Sequence, residues 1–190
     1  MIIPNSYYIN EDVVKIAKDL IGKVIYTQLD GEVTAGIITE TEAYNGIADK
    51  ACHAYNNKRT KRTQTMYLKG GVCYVYLCYG IHHLLNIVTS KKNDPKAVLI
   101  RGIKPVKGIS LMLKRRNKKQ FTSQCNNGPG KISVSMGINN EFNGESLMSD
   151  QIWIEDQGKI IKDNEIIVTK RVGIDYAEED AHLLYRFLLK

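Results

Sequence analysis

The sequence predicts an α+β fold: a single domain over residues 1–190, built on a curved, partly barrel-like antiparallel sheet flanked by helices. Three observations predict it. Apolar runs of strand length outnumber runs with helical spacing. Several of those runs are joined by short turn dipeptides, Asp30-Gly31 and Tyr79-Gly80, which mark hairpins and not crossovers. No internal repeat and no long linker divides the 190 residues, a length able to bury a core of its own.

Asn10 is read as a helix cap, with Glu11 and Asp12 in the first turn; Val13, Ala17, Leu20 and Val14, Ile21 keep helical spacing until Gly22 ends it. Residues 23–29 read as a strand, Asp30-Gly31 as its hairpin turn, and 33–44 as the return strand. Residues 45–70, rich in Asn, Lys, Thr and Gly, read as loop. Residues 72–78 and 81–89 form two strands about Tyr79-Gly80, and 97–103 a further short strand. An amphipathic helix with a basic end is expected over 106–118, and a short helix over 132–136 after the loop at 126–131. Residues 139–149 return to loop; 152–155, 166–172 and 185–188 close the chain as strands.

Charge narrows the partners. The formal net charge is +7, with 27 Lys and Arg against 20 Asp and Glu. It is unevenly spread: residues 101–120 hold eight Lys or Arg and no acid, whereas Asp175, Glu178, Glu179 and Asp180 cluster near the other end. One basic face, and hence a polyphosphate partner, is expected. Cys52, Cys73, Cys78 and Cys125 lack C-x-x-C spacing, so reduced thiols and a cytoplasmic location are expected. No membrane span is read from the sequence. Cys52, His53, His82 and His83 do not have zinc-ligand spacing, and neither metal nor cofactor is expected.

Chemistry concentrates in two stretches. Glu42 follows the apolar run 36–39 and is placed at the end of a buried strand, where the chain turns toward Tyr44 and a polar loop. A carboxylate there is costly unless paired or employed. Strand alternation puts Ile38, Glu40 and Glu42 on one face, with the carboxylates roughly 7 Å apart by strand rise. Glu40 is read as a partner for Arg or Lys on a neighbouring strand. Tyr74 and Tyr76 share a face and suit either core packing or base stacking. Tyr79 falls at the hairpin tip, where a large ring looks like a duplex wedge. Asn86, between Leu85 and Ile87, is a buried amide in need of partners. The run 58–62 combines basic side chains with a hydroxyl, and Gly128-Pro129-Gly130-Lys131 ahead of a helix is able to present N–H groups to a phosphate.

In order, these segments resemble the alkyladenine DNA glycosylase family, the 3-methyladenine DNA glycosylase type of mammals and many bacteria. The resemblance runs from Leu20-Ile21-Gly22-Lys23 through Glu40-Thr41-Glu42-Ala43-Tyr44, Ala51-Cys52-His53, Tyr74-Val75-Tyr76, Tyr79-Gly80, Asn86 and Val98-Leu99-Ile100-Arg101. It continues with Asn127-Gly128-Pro129-Gly130-Lys131 and Arg171-Val172-Gly173-Ile174. It departs from the family near His182 and Tyr185, ahead of Arg186-Phe187.

The resemblance implies roles residue by residue. Glu42 matches the general base that activates water, and Arg101 a residue holding water and backbone beside it. Tyr44, His53 and Tyr76 match the enclosure of a flipped base; Asn86 matches the amide that meets the 2-amino group of guanine. Tyr79 matches the ring that fills the gap in the duplex. Thr60, Arg62, Arg116 and Lys131 match backbone phosphate contacts. The implied partner is double-stranded DNA bearing a damaged purine, and the implied enzyme a monomeric, monofunctional glycosylase that leaves an abasic site. Electron-rich rings are expected to favour cationic alkylated purines. Two rival readings come from the residues alone: a non-catalytic nucleic-acid module stacking bases on its tyrosines, and a glycoside hydrolase using Glu40 and Glu42 as a pair.

Overall fold

A computed structural model describes residues 1–120, 122 and 126–190; Cys125 lies outside the described residues. Strand β2 (Glu32–Tyr44) is the axis of the molecule. One edge pairs along its length with β5 (Lys96–Lys107). The other edge pairs first with β1 (Val24–Leu29) and then, over Glu40–Glu42, with β8 (Arg186–Leu189). Beyond β5 come β4 (His82–Thr89) and β3 (Cys73–Cys78); beyond β1 comes β6 (Ile152–Glu155), and β7 (Ile166–Thr169) pairs with β8. All pairs are antiparallel. Register shifts on either side of Glu40 bend β2, and the sheet curls into a half-barrel, the α+β architecture expected.

The hairpin turns form where the dipeptides placed them. Asp30 and Gly31 have φ of 51° and 78°, and Tyr79 and Gly80 have 51° and 73°, left-handed at both central positions. Other boundaries move for local reasons. Helix α1 (Val13–Asp19) is capped by Asp12, whose side chain accepts from the Lys15 N–H, while Asn10 caps the Asp12 N–H one step earlier. The strand expected over 97–103 continues to Lys107, since Gly108 at φ 69° is the first residue to leave the sheet. The basic helix is correspondingly shorter, α2 (Ile109–Arg115). Helix α3 (Pro129–Met136) starts three residues earlier than expected, because Pro129 fits the first helical turn. Strand β7 stops at Thr169, and the 45–70 loop contains the short 3-10 turns Gly46–Ala48, Tyr55–Asn57 and Gln64–Tyr67.

The two faces of the sheet are used differently. One packs Ile38, Ala43, Val75, Leu85, Ile87, Val98 and Ile100 against Ile16 and Leu20 at α1 and Ile132 and Met136 of α3. Thr41 anchors that contact by donating to the Ala17 carbonyl at 2.7 Å. The other face carries Tyr74, Val88 and Ala97 beneath Cys52, Ala54, Met66 and Tyr67 from the 45–70 loop. Among the described residues, no helix is long and apolar enough to cross a membrane.

Gly102 faces Glu40 at the β2 irregularity, and a Cβ there would stand 2.9 Å from both Glu40 Cβ and Thr39 Oγ1. Gly102→Ala is therefore expected to destabilise the fold by about 1–3 kcal/mol, the usual cost of overpacking. A denaturant midpoint unchanged from wild type would contradict this reading of the bulge.

Candidate active site

Directly opposed residues in a sheet point to the same side. Tyr74 opposes Asn86, Asn86 opposes Leu99, Leu99 opposes Glu42, and Glu42 opposes Arg186, so one row crosses five strands on a single face. Pleating adds Tyr76, Arg101 and Tyr44, each two positions from a member of that row. With the 45–70 loop, the Val172–Tyr176 segment and the start of α3, this face bounds a cavity of about 750 Å³. Its walls include Tyr44, His53, Tyr74, Tyr76, Asn86 and Leu99.

Glu42 is wholly buried and lies just behind that wall. It is not at a strand end, as expected, but paired on both sides by β5 and β8, with β2 running on to Tyr44. Each donor to its carboxylate belongs to the cavity lining. The Val172 N–H donates to Oε1 at 2.8 Å, and the Tyr44 hydroxyl donates to Oε2 at 2.9 Å. Arg101 approaches both oxygens, Nε at 3.4 Å from Oε1 and Nη1 at 3.5 Å from Oε2. Burial nonetheless raises the carboxyl above its ordinary 4.5, outweighing the opposing pull of Arg101, Val172 and Tyr44. Burial also opposes the charge on Arg101, but Glu42 and Glu40 more than offset it. Burial and then the Glu42 charge hold the Tyr44 phenol protonated, so it stays a donor.

Glu40 is paired as expected from the spacing. Its Oε1 accepts from Arg101 Nε at 2.9 Å and from Arg186 Nε at 2.7 Å. Held by two arginines, it has the character of a structural counter-ion, unlike the free acid a glycoside hydrolase pair needs.

His53 and Tyr76 meet edge to face with centroids 4.6 Å apart, and Tyr74 lies 5.4 Å from Tyr76. Arg62 Nη2 donates to His53 Nε2 at 3.2 Å, so the ring hydrogen sits on Nδ1 and is donated to the Tyr74 hydroxyl at 2.9 Å. Burial first, then Arg62 and Lys58, push the imidazole down to about 4, leaving it neutral near pH 7. Asn86 spends its amide hydrogens on the Tyr74 and Leu84 carbonyls at 3.2 and 3.4 Å. Tyr79 is 92% exposed, projecting from its turn into solvent.

The phosphate candidates separate. Arg116 and Lys131 lie on the cavity wall with Gly128, Pro129 and Gly130, where α3 begins. Thr60 is exposed, and its hydroxyl accepts from the Thr63 N–H at 3.2 Å within its own loop. Arg62 is exposed and sits over the Tyr76 ring, 4.7 Å from its centroid, at the solvent side of the cavity lining. Among the described residues, no group of three or more His, Cys, Asp or Glu is placed to hold a metal.

Sequence reasoning gave no role to Arg171, Asp49, Val172 or Tyr176. Arg171 is fully buried and forks onto Asp49, with Nη1 at 2.5 Å from Oδ2 and Nη2 at 2.9 Å from Oδ1. It also donates to the Ala43 carbonyl at 2.9 Å and lies between the Tyr44 and Tyr185 rings, 5.0 and 5.2 Å from their centroids. One guanidinium thus ties the loop carrying His53 to the strand carrying Glu42 and to its own neighbour, Val172. The signal was the Arg171-Val172-Gly173-Ile174 segment itself, whose partners are too distant in sequence for spacing to reveal.

Comparison with known proteins supplies the family context. The family described as Methylpurine-DNA glycosylase (MPG) matches residues 7–190. A "Putative 3-methyladenine DNA glycosylase" of Chlamydia felis is 48% identical over 188 residues, covering 98% of this chain and 95% of its own. Proteins of the same description match from Clostridium perfringens strain 13, at 44% identity with 96% and 93% coverage, and from Natranaerobius thermophilus, at 45% with 96% and 93%.

Removing one member of a fully buried ion pair strands the other. Asp49→Ala is expected to cost about 3–5 kcal/mol, read as a lowered Tm and denaturant midpoint, whereas loss of the solvent-exposed Lys91–Glu11 pair should leave both close to wild type. Equal effects from the two would show that Asp49 does not anchor the site.

Proposed function

Because the chain belongs to the methylpurine-DNA glycosylase family, we propose that it excises alkylated or deaminated purines from duplex DNA by water attack at C1′, leaving an abasic site as the first product of base excision repair. The observation that carries the reading is the wholly buried Glu42 carboxylate held against an aromatic-walled cavity on a chain of net charge +7.

Basic side chains bind the phosphodiester backbone largely without regard to sequence. The N–H groups at the start of α3, with Lys131 and Arg116, suit a phosphate beside the cavity mouth. Tyr79 enters the stack, and the damaged nucleotide rotates into the cavity between Tyr44, Tyr76 and His53. Stacking of this kind contributes about 1–3 kcal/mol per base. Asn86, its amide hydrogens already used, excludes the 2-amino group of normal guanine by shape.

Entry of the sugar opens the cluster of Tyr44, Val172 and Arg101 around Glu42 far enough to admit water. Glu42 takes the proton as water attacks C1′, and the glycosidic bond breaks with its electron pair leaving on the purine. The carboxylate also stabilises the cation-like sugar. The enzyme is monofunctional: Lys131 stands on the wall, but its amine does not attack C1′, so strand cleavage is not expected. The protein acts as a monomer, in the cytoplasm, without metal or cofactor.

The direct test is incubation with duplexes carrying one hypoxanthine or one 7-methylguanine, with and without hot alkali. Strand breaks only after alkali support the reading; no breaks with either lesion refute it.

Glu42→Gln is expected to lower single-turnover excision by about 10²–10⁴-fold, the range of general-base contributions, while duplex affinity holds. Wild-type excision should fall with unit slope as pH drops through the Glu42 pKa, at a value above 4.5 because burial raises it. An acid limb that persists unchanged in Glu42→Gln would assign the base elsewhere. Tyr79→Ala should weaken binding to lesion duplex by about 1–3 kcal/mol, roughly 5- to 150-fold in Kd; wild-type affinity would remove the wedge.

A further inference from the structure

Arg62 was expected among the phosphate contacts; it is exposed, and its guanidinium packs from the solvent side against the ring cluster of the cavity. Cζ lies 4.7 Å over the Tyr76 ring, Nη2 donates to His53 Nε2 at 3.2 Å, and the side chain lines the same cavity as Tyr44, Tyr74 and Asn86. Arg59, close by in sequence, is placed differently: it stacks 3.9 Å over Tyr67 and donates to Asn93 Oδ1, outside the cavity lining. The basic run therefore divides, and one of its cations belongs to the base-binding wall.

A cation there changes which bases the rings attract. Aromatic faces draw positive charge, but the Tyr76 face already carries a guanidinium. A purine alkylated on a ring nitrogen brings its own positive charge into that field. Hypoxanthine is neutral and offers carbonyl and ring-nitrogen acceptors to a guanidinium fork. His53 registers the field already, since Arg62 is one of the charges that keep its ring neutral. Arg101 and Arg116 add positive charge to the wall, and Glu42 opposes it from behind, neutralised in part by Arg101.

We propose that Arg62 sets the charge preference of the cavity, shifting selection toward neutral purine lesions and away from cationic N-alkylated purines, relative to what the aromatic walls alone would give. This rests on the glycosylase reading above. The chemistry gives the shift a purpose. A cationic purine has a weakened glycosidic bond and leaves readily. A neutral purine needs more help from the protein, so a wall that favours it evens out the two.

The experiment compares single-turnover kcat/KM for 7-methylguanine and hypoxanthine in otherwise identical duplexes, slightly below neutral pH where 7-methylguanine is cationic. Wild type, Arg62→Gln and Arg62→Lys are measured, and His53 is titrated by NMR in each. Arg62→Gln should raise the ratio of 7-methylguanine to hypoxanthine excision about tenfold, equivalent to about 1.4 kcal/mol. It should also move the His53 titration upward, while Arg62→Lys keeps both near wild type. Equal losses on both substrates in Arg62→Gln, as a phosphate contact would give, overturn the proposal. So does a ratio shift of the same size in Arg62→Lys, which would assign the effect to hydrogen-bond geometry and not charge. Release of neither base by wild type would instead bring down the glycosylase reading, a result distinct from an unchanged ratio.

Discussion

An ionisable carboxylate with no solvent exposure, in the middle of a sheet, is the constraint around which this molecule is arranged. Glu42 has strands on both sides, so neither water nor an edge relieves it. Its charge has to be met by protein groups, and they come from widely separated places: Tyr44 two residues on, Arg101 on β5, and the Val172 N–H 130 residues away. Even so, burial outweighs them and the carboxyl is held above its ordinary range. A core built for stability alone would place an apolar residue here, since buried ion pairs seldom exceed a packed hydrophobe in stability. The arrangement makes sense for a group that has to accept a proton.

The requirement propagates outward. Arg101 is itself buried enough to need further compensation, which Glu40 supplies, and Glu40 in turn is shared with Arg186 on the last strand. The bend in β2 at Glu40 lets both carboxylates reach Arg101, and Gly102 is the residue small enough to lie opposite that bend. The Val172 N–H is placed by Arg171, whose buried fork onto Asp49 also fixes the loop that carries His53. The last twenty residues are therefore part of the site: β8 closes the edge of β2 that β1 leaves open, exactly where Glu40 and Glu42 stand.

Much of the fold could be read from the chain because its determinants are local. Asp30-Gly31 and Tyr79-Gly80 dictate hairpins through backbone geometry, and alternation along 33–44 placed Glu40 and Glu42 on one face, whereas Ile38, expected beside them, turns to the helix-packed face because the register shifts at Glu40 break the alternation. Helix ends were less legible, since Asn10 and Asp12 cap different N–H groups, those of Asp12 and Lys15, and Gly108 and Pro129 reset the frame by one turn. The structure brings Glu42, Arg101, Tyr44, His53, Tyr76 and Asn86 together, but residue spacing alone could not do so; resemblance to a family did. Arg62 and Thr60 show the limit. Both sit in a run that reads as phosphate-binding, and whether such a side chain faces a backbone, a ring or its own loop is decided by tertiary contacts with Tyr76, His53 and Thr63.

The hairpin tip shows the same logic at the surface. A bulky aromatic at φ 51° is strained relative to Gly, Asn or Asp, the residues that ordinarily occupy such turns. Tyr79 recovers nothing from the fold for that cost: it is 92% exposed, and Ile81 just beyond it is 70% exposed. On the same rim, α3 begins against β4 so closely that a Cβ on Gly130 would meet the His82 ring at 2.9 Å, which brings Lys131 to the cavity wall. A strained ring held in solvent, beside a helix start and a lysine at the mouth of an aromatic cavity, has its physical rationale in what it meets outside the chain. A stacked, negatively charged polymer supplies both needs, a gap for the ring and phosphates for the rim.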